Sequence, residues 1–121
     1  MAINKILIVD DSPTDLSNLE SIVSQVGCEV IKASSGAEGL EKARTEKPDI
    51  IFMDIVMENI DGYEATRQLT NDATTKAIPV IFVSSKHQKA DRVWAKMQGA
   101  KELISKPYSP DEILQQIKAY S

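Results

Sequence analysis

The chain has 121 residues, of which 42% are hydrophobic and 26% charged, and its formal net charge is -4 at pH 7. This size and balance fit one globular domain with a single core. The acidic balance argues against a nucleic-acid-binding protein, which normally offsets phosphate charge with a basic patch. No apolar run approaches the ~20 residues that cross a bilayer, so we expect no membrane partner.

The N-terminus and the cysteine content both bear on location. The stretch MAINKILIVDD lacks the apolar core and the cleavage site of a signal peptide. The chain has one cysteine, Cys28, which cannot form an internal disulfide, and this predicts a reducing cytoplasm. We interpret Cys28 as a small half-buried residue rather than a catalytic thiol, because the one histidine, His87, is distant in the sequence.

Five short apolar runs alternate with longer amphipathic stretches. The runs are Lys5–Val9, Glu29–Ala33, Asp49–Met53, Pro79–Val83 and Glu102–Ile104. Several runs are β-branched and apolar on both faces, which is typical of parallel strands that helices cover on both sides. The alternation therefore predicts an α/β fold, with a parallel sheet between two layers of helices.

Each amphipathic stretch opens with a residue that can cap a helix, followed three places on by an acid or an amide. Such pairs satisfy the free amides at a helix N-terminus. The pairs are Ser12/Asp15, Ser35/Glu38, Asp61/Glu64, Ser85/Gln88 and Ser109/Glu112. Pro13 and Pro110 occupy the first helical position, and Gly27 and Gly99 are placed to end helices.

Polar side chains follow four of the five apolar runs. They are Asp10 and Asp11 after the first run, Asp54 after the third, Ser84 and Ser85 after the fourth, and Lys106 after the fifth. In this architecture ligands bind outside the carboxyl ends of the strands. An acid after a strand is by itself more often a turn former or a helix cap. Polar groups at four strand ends, which include both acids and a lysine, together favour a binding site over four unrelated turns or caps.

Three carboxylates at one place need more positive charge than one lysine supplies. A divalent cation such as Mg²⁺ completes the balance. A cation, a lysine and a hydroxyl together suit an oxyanion such as a phosphoryl group in transfer. The third carboxylate can then act as the nucleophile. Asp54 is the best candidate because it stands alone, whereas Asp10 and Asp11 form a pair that suits metal binding.

Four segments, ILIVDDSP, PDIIFMDIVM…DG, IPVIFVSS and GAKELISKP, resemble in this order the receiver domain of two-component response regulators, the CheY-like family. Together they span nearly the whole chain. The resemblance implies a flavodoxin-like (βα)5 fold, a doubly wound parallel sheet of five strands in the order 2-1-3-4-5. It also implies Mg²⁺-dependent phosphoryl transfer from a sensor histidine kinase, with no enzymatic activity beyond self-catalysed phosphorylation and dephosphorylation.

The resemblance also implies a role for individual residues. Asp54 is the phospho-acceptor, Lys106 neutralises the phosphoryl group, and Ser84 is the switch hydroxyl that turns toward it. The implied Mg²⁺ ligands are Asp10 (mostly through water), Asp11, Asp54 and the backbone carbonyl of Val56. The Lys106–Pro107 peptide bond is expected to be cis.

More narrowly, the tract from Asp54 to Pro107 is similar to the stand-alone receivers of chemosensory systems that control type IV pili and twitching motility, the PilH-like group. Because the chain ends at Ser121, just after the fifth helical stretch, we expect one receiver domain over residues 1–121 and no output domain. The expected partners are a CheA-like histidine kinase as phosphodonor and a protein target that docks near the fourth helix and fifth strand.

Three positions depart from the family pattern. Leu103 stands where an aromatic residue is common, three places before Lys106, so the aromatic half of the usual switch is absent. Glu58 replaces the usual proline in the loop after the acceptor, and we interpret it as a solvated glutamate rather than a residue with a metal or specificity role. Val56 cannot hydrogen-bond a hydrolytic water, so we expect slow self-dephosphorylation.

Trp94 allows two interpretations, a residue at the edge of the core or an anchor for a partner. Its spacing with Ala90, Val93 and Met97 is that of a helix face and favours the first. Tryptophan and arginine often dominate protein interfaces, which supports the second. The candidate partner surface then comprises Trp94, Arg92, Lys96, Lys101 and Leu103.

Four other functions compete with that of a signalling receiver. An aspartate-nucleophile phosphatase of the haloacid dehalogenase type needs a cap segment and a second acid where this chain has Val56. A flavodoxin-like electron carrier needs a hydroxyl- and glycine-rich loop after the first strand, where DDSPTD is acidic. A degenerate scaffold receiver is disfavoured because all the named side chains are present. A phosphate sink that drains a shared kinase stays open.

Overall fold

Strand and helix alternate five times between residues 3 and 121, the part of the chain that the computed structural model describes. The strands are β1 (Lys5–Val9), β2 (Glu29–Ala33), β3 (Ile50–Met53), β4 (Val80–Ser84) and β5 (Glu102–Ser105). The helices are α1 (Pro13–Val23), α2 (Gly36–Glu46), α3 (Gly62–Thr70), α4 (Lys89–Gln98) and α5 (Pro110–Ala119). Within residues 3–121, no helix has the length and apolarity of a membrane span.

All strands are parallel and form one sheet in the order β2-β1-β3-β4-β5, which confirms the predicted fold. From β1 the chain continues to β2, which pairs with one edge of β1, and then crosses to β3, which pairs with the opposite edge of β1. The order therefore reverses between β1 and β3. A crevice opens at the carboxyl ends of two such strands, and this is where parallel α/β sheets bind their ligands.

Successive residues of a strand enter two different cores. In β1, Leu7 and Val9 pack into the core under α2, α3 and α4, whereas Ile6 and Ile8 pack into the core under α1 and α5. Every residue of β3 is buried. Because both faces of the sheet are covered, its central strands need apolar residues at every position.

Three of the predicted helix caps are present with the predicted hydrogen bond. Ser12, Ser35 and Asp61 each accept the backbone amide three residues on, at 3.3, 3.1 and 2.8 Å. Ser109 is the residue that caps α5 by its position. Gly27, after a short 3₁₀ turn that extends α1, has a φ of 77°, as expected at a helix end.

The predicted start of the fourth helix is wrong by one turn. The cap of α4 is Gln88 rather than Ser85, because the Asp91 carboxylate accepts the Gln88 amide at 3.2 Å. Residues 85–88 therefore form a loop between β4 and α4. This loop separates the Ser84 hydroxyl, at the end of β4, from the start of the helix.

The loop after β3 folds back tightly against the sheet edge at Gly62. The Gly62 amide donates to the Ile55 carbonyl at 2.7 Å. A β-carbon at position 62 would collide with the backbone of Asp54 and Ile55. Only glycine allows this close approach, and the approach fixes the backbone that carries Asp54.

Candidate functional site

Two carboxylates stand side by side at the carboxyl ends of the central strands. The Asp10 amide donates to the Ala33 carbonyl at 3.1 Å, and the Asp54 amide donates to the Val9 carbonyl at 3.0 Å. The hydrogen-bond ladder thus continues one residue beyond β1 and β3. Asp10 is 4% exposed, and the side chain of Asp54 is 12% exposed. The sheet therefore holds both carboxylates in place and largely away from water.

The exposed Asp11 completes an acidic cluster with these two residues. One carboxylate oxygen from each of Asp10, Asp11 and Asp54 lies within 4.8 Å of the others. Like charges at this spacing repel each other and lose hydration. A set of carboxylate oxygens suits a hard cation such as Mg²⁺, so these residues fit the ion that the sequence predicts. The exposed Val56 follows in the loop after Asp54, and its carbonyl as a further ligand stays a prediction.

Lys106 approaches the cluster from the loop between β5 and α5. Its amide donates to the Ser84 carbonyl at 2.9 Å, and the Lys106–Pro107 bond is cis. Its ammonium donates to Asp10 at 2.9 Å and lies 3.8 Å from an Asp54 oxygen. The structure therefore brings the predicted lysine and the three predicted acids together.

Asp15 is a member of this site that the sequence analysis missed. Its carboxylate accepts a hydrogen bond from the Lys106 ammonium at 3.0 Å. The sequence pattern indicates Asp15 only as part of a helix start. A signal was available, since α1 begins directly after the β1 carboxylates and its first turn must lie at the same sheet edge.

The site raises the pKa of both Asp54 and Lys106, which disfavours the charge of the acid and favours the charge of the lysine. Burial raises the pKa of Asp54 to about 6; the positive charge of Lys106 opposes this, and the negative charge of Asp10 adds to it. Burial alone lowers the pKa of Lys106, but hydrogen bonds to Asp10 and Asp15 outweigh it and raise that pKa. Lys106 therefore stays positively charged, whereas the negative charge of Asp54 is destabilised by burial.

Ser84 lies fully buried at the end of β4. Its hydroxyl oxygen accepts the Lys86 amide at 3.0 Å, which ties it to the loop before α4. The strand register places Ser84 beside Ser105, the residue before Lys106. The hydroxyl therefore stands next to the strand end that carries the lysine, and its switch role stays a prediction.

The sequence profile of the response regulator receiver domain matches residues 6–118 of the chain. The chain belongs to the response regulator receiver family. Receivers take phosphoryl groups from histidine kinases and interact with downstream targets, and they are usually not true enzymes. This membership confirms the predicted family and places the chain in two-component signalling.

Several relatives of this receiver share most of its length. Protein PilH of Pseudomonas aeruginosa strain PAO1 is 50% identical over 115 residues, which are 95% of each chain. Protein PilG of the same strain is 37% identical over 116 residues, 96% of this chain and 86% of PilG. The solved structure of the chemotaxis protein CheY4 of Vibrio cholerae matches with a TM-score of 0.91 at 26% identity, covering 99% of this chain and 100% of CheY4. The similarity to PilH confirms the PilH-like resemblance.

The structure corrects one residue of the candidate partner surface on this receiver. Leu103 is only 4% exposed, because its side chain points from β5 into the core under α4. Its side chain therefore cannot contact a partner. Its carbonyl reaches the edge of the sheet, where the Arg92 guanidinium donates to it at 2.9 Å and to the Ser105 hydroxyl at 2.9 Å.

The other members of that surface are exposed. Trp94 is 47% exposed and packs edge-on against Tyr63, with ring centroids 6.3 Å apart. Arg92, Lys96 and Lys101 also reach the surface. Trp94 thus lies at the rim of the core, where it is available to a partner. Glu58 is exposed too, as expected for a solvated glutamate.

In the metal-free receiver, we expect Asp54→Asn to raise the free energy of unfolding by about 2 kcal/mol at about pH 7.5. The folded protein binds a proton at Asp54 more tightly than the unfolded chain does. Stability is therefore lost as the pH rises toward the folded pKa of about 6. The neutral amide of the variant removes this penalty, so the gain should shrink to near zero at about pH 4, where folded Asp54 is protonated.

Urea unfolding in EDTA at the two pH values measures this gain. Asp111→Asn, which removes an exposed acid at the start of α5, is the control and should change stability little. An equal gain for Asp54→Asn at both pH values, or no gain at the higher one, would contradict the account of Asp54.

Proposed function

We propose that this receiver accepts a phosphoryl group on Asp54 with the help of Mg²⁺, and that it signals through phosphorylation-dependent binding to another protein. The observation that carries the proposal is the meeting of three acids and one lysine at one sheet edge. The acidic oxygens lie within 4.8 Å of one another, and the Lys106 ammonium lies 3.8 Å from Asp54.

In the proposed reaction, an Asp54 oxygen attacks the phosphorus of a phosphohistidine. A new oxygen–phosphorus bond forms, and the bond to the imidazole nitrogen breaks, with its electron pair returning to the nitrogen. Asp54 needs no base at neutral pH, since its pKa of about 6 leaves it ionised. Lys106 is close enough to donate to an oxygen of the transferred group. Asp10, Asp11 and Asp54 would hold Mg²⁺, which would supply further positive charge against the phosphoryl oxygens.

We propose that the Ser84 hydroxyl passes the signal on. It accepts the Lys86 amide before phosphorylation, and afterwards it turns to donate to a phosphoryl oxygen. The loop before α4 is then released from Ser84. This exchange would shift α4, whose Trp94 and Arg92 we propose as contacts of the target, together with Lys101 just before β5.

The pathway we propose is chemosensory control of type IV pili and twitching motility, with a CheA-like kinase as donor in the cytoplasm. Support comes from the 50% identity to Protein PilH over 95% of each chain. We also propose that residues 1–121 form a single receiver domain, and that its chemistry is limited to self-catalysed phosphorylation and dephosphorylation.

The buried Leu103 favours a second candidate function. An aliphatic side chain at 4% exposure on β5 offers no aromatic group to swing between two positions. A receiver with a weak output surface can still drain phosphoryl groups from a shared kinase. Phosphotransfer from one kinase to this receiver and to a competing receiver, measured together, separates the two functions: a sink lowers the competitor's phosphorylation without binding a target.

Incubation with Mg²⁺ and acetyl phosphate is expected to add one phosphoryl group to the receiver, because Asp54 is an ionised nucleophile beside a fixed cation. Intact-protein mass spectrometry detects the product. Asp54→Asn and a sample in EDTA should gain nothing, whereas Asp111→Asn should behave as the parent does. Modification of Asp54→Asn to the same extent as the parent would show that the acceptor is another residue.

Val56→Asn is expected to shorten the half-life of the aspartyl phosphate. Position 56 is 56% exposed, and an asparagine there can hydrogen-bond the attacking water, which valine cannot do. Loss of phosphoryl mass after removal of acetyl phosphate gives the half-life. Val56→Leu is the apolar control and should keep the parent's value. A half-life in Val56→Asn equal to or longer than the parent's would reject this role.

A further inference from the structure

Asp15 makes a contact that the start of a helix does not require. Its carboxylate accepts the Lys106 ammonium at 3.0 Å, across 91 residues of sequence. We propose that Asp15 is a positioning residue, which holds Lys106 in the unphosphorylated receiver and competes for it with the phosphoryl group. This inference rests on the proposed phosphorylation of Asp54.

The local bonds show that the Asp15 carboxylate is not used to cap α1. In a capping box this carboxylate would accept the Ser12 amide. The Ser12 amide donates instead to Asp10, at 2.9 Å. The cap itself is intact, because the Ser12 hydroxyl accepts the Asp15 amide at 3.3 Å. The carboxylate of Asp15 is therefore free to face Lys106.

The three acids around the Lys106 ammonium are not equivalent. An ammonium has three hydrogens to donate. Two hydrogen bonds go to Asp10 at 2.9 Å and Asp15 at 3.0 Å, while the Asp54 oxygen stays at 3.8 Å. Asp15 thus occupies one of the three donors, and leaves only one for a phosphoryl group on Asp54.

Burial decides which of the two short contacts gives way. The Asp10 side chain is 5% exposed, whereas that of Asp15 is 46% exposed. Water can replace the lysine at Asp15 at little cost, but a buried Asp10 without its cation would suffer a large desolvation penalty. When a phosphoryl group brings about two negative charges to Asp54, Lys106 therefore keeps Asp10 and exchanges Asp15 for a phosphoryl oxygen.

Asp15 is also a half-exposed negative charge beside Lys106, and it repels an anionic phosphodonor that approaches the lysine. Both effects oppose phosphorylation, the first by occupying Lys106 and the second by repulsion. Neutralising Asp15 should therefore speed the reaction.

The test measures the rate constant of phosphorylation by acetyl phosphate at saturating Mg²⁺, with Mg²⁺ affinity determined separately by calorimetry. Asp15→Asn should raise the rate constant about threefold, the size expected from one partly exposed ion pair. Asp15→Glu, which keeps the charge within reach of the lysine, should restore the parent's rate. Glu112→Gln is the matched control: Glu112 stands at the same place after the Ser-Pro start of α5, is exposed, and should leave the rate unchanged.

A second measurement needs neither metal nor phosphodonor. In the metal-free receiver, the NMR resonance of the Lys106 ε-carbon should move in Asp15→Asn and stay in place in Glu112→Gln. Should Asp15→Asn fail to fold, Asp15→Ser replaces it, since serine is well tolerated in the first turn of a helix.

The outcomes separate this inference from the proposed function. A parent that takes up no phosphoryl group overturns the proposed function, and the inference with it. If the parent is phosphorylated, a rate in Asp15→Asn equal to or below the parent's overturns the inference alone. It is also overturned if Asp15→Glu changes the rate as much as Asp15→Asn does, or if the Lys106 resonance does not move.

Discussion

Repulsion among carboxylates that the sheet cannot move apart is the constraint on which this site depends. Asp10 and Asp54 are fixed by backbone hydrogen bonds that extend the ladders of β1 and β3, so neither can retreat into solvent. The Gly62 backbone packs against Asp54 from the other side. The fold thus stores an unfavourable charge density at the place where its strand order reverses. Positive charge relieves it, and this relief connects the fold to phosphoryl chemistry.

Lys106 provides part of that relief, and its geometry divides the site into a buried and an exposed half. Toward the interior it donates to Asp10, and toward solvent it donates to Asp15. Its backbone amide binds the Ser84 carbonyl, and the Ser84 hydroxyl in turn accepts the Lys86 amide. One lysine therefore links the acidic cluster to the strand and loop that precede α4. We propose that a change of charge at Asp54 acts on this chain of contacts, and so on the surface around α4.

Most of the fold could be predicted from sequence because it follows from local and periodic signals. Buried strands are apolar throughout, and strand ends of a parallel sheet share one edge, so the sequence alone places Asp54 and Lys106 together. The features that the sequence did not predict depended on competition between two similar local patterns or on contacts between residues far apart in the sequence. Ser85 with Gln88 and Gln88 with Asp91 both have the spacing of a capping pair, and the Asp91 carboxylate, which accepts the Gln88 amide, decides between them. Asp15 satisfies a local capping pattern, whereas its partner lies 91 residues away. The orientation of Leu103 depends on the alternation of side chains along a four-residue strand, whose phase the sequence pattern did not define.

The central claim is that a divalent cation relieves the repulsion among Asp10, Asp11 and Asp54. Thermal unfolding of the parent and of Asp11→Asn across a series of Mg²⁺ concentrations tests it most directly, because an ion that binds only the folded state raises the melting temperature with its concentration. The melting temperature of the parent should rise steadily with Mg²⁺, and that of Asp11→Asn should start higher and rise much less. Parallel curves for the two proteins, or a parent that Mg²⁺ leaves unchanged, would contradict the account.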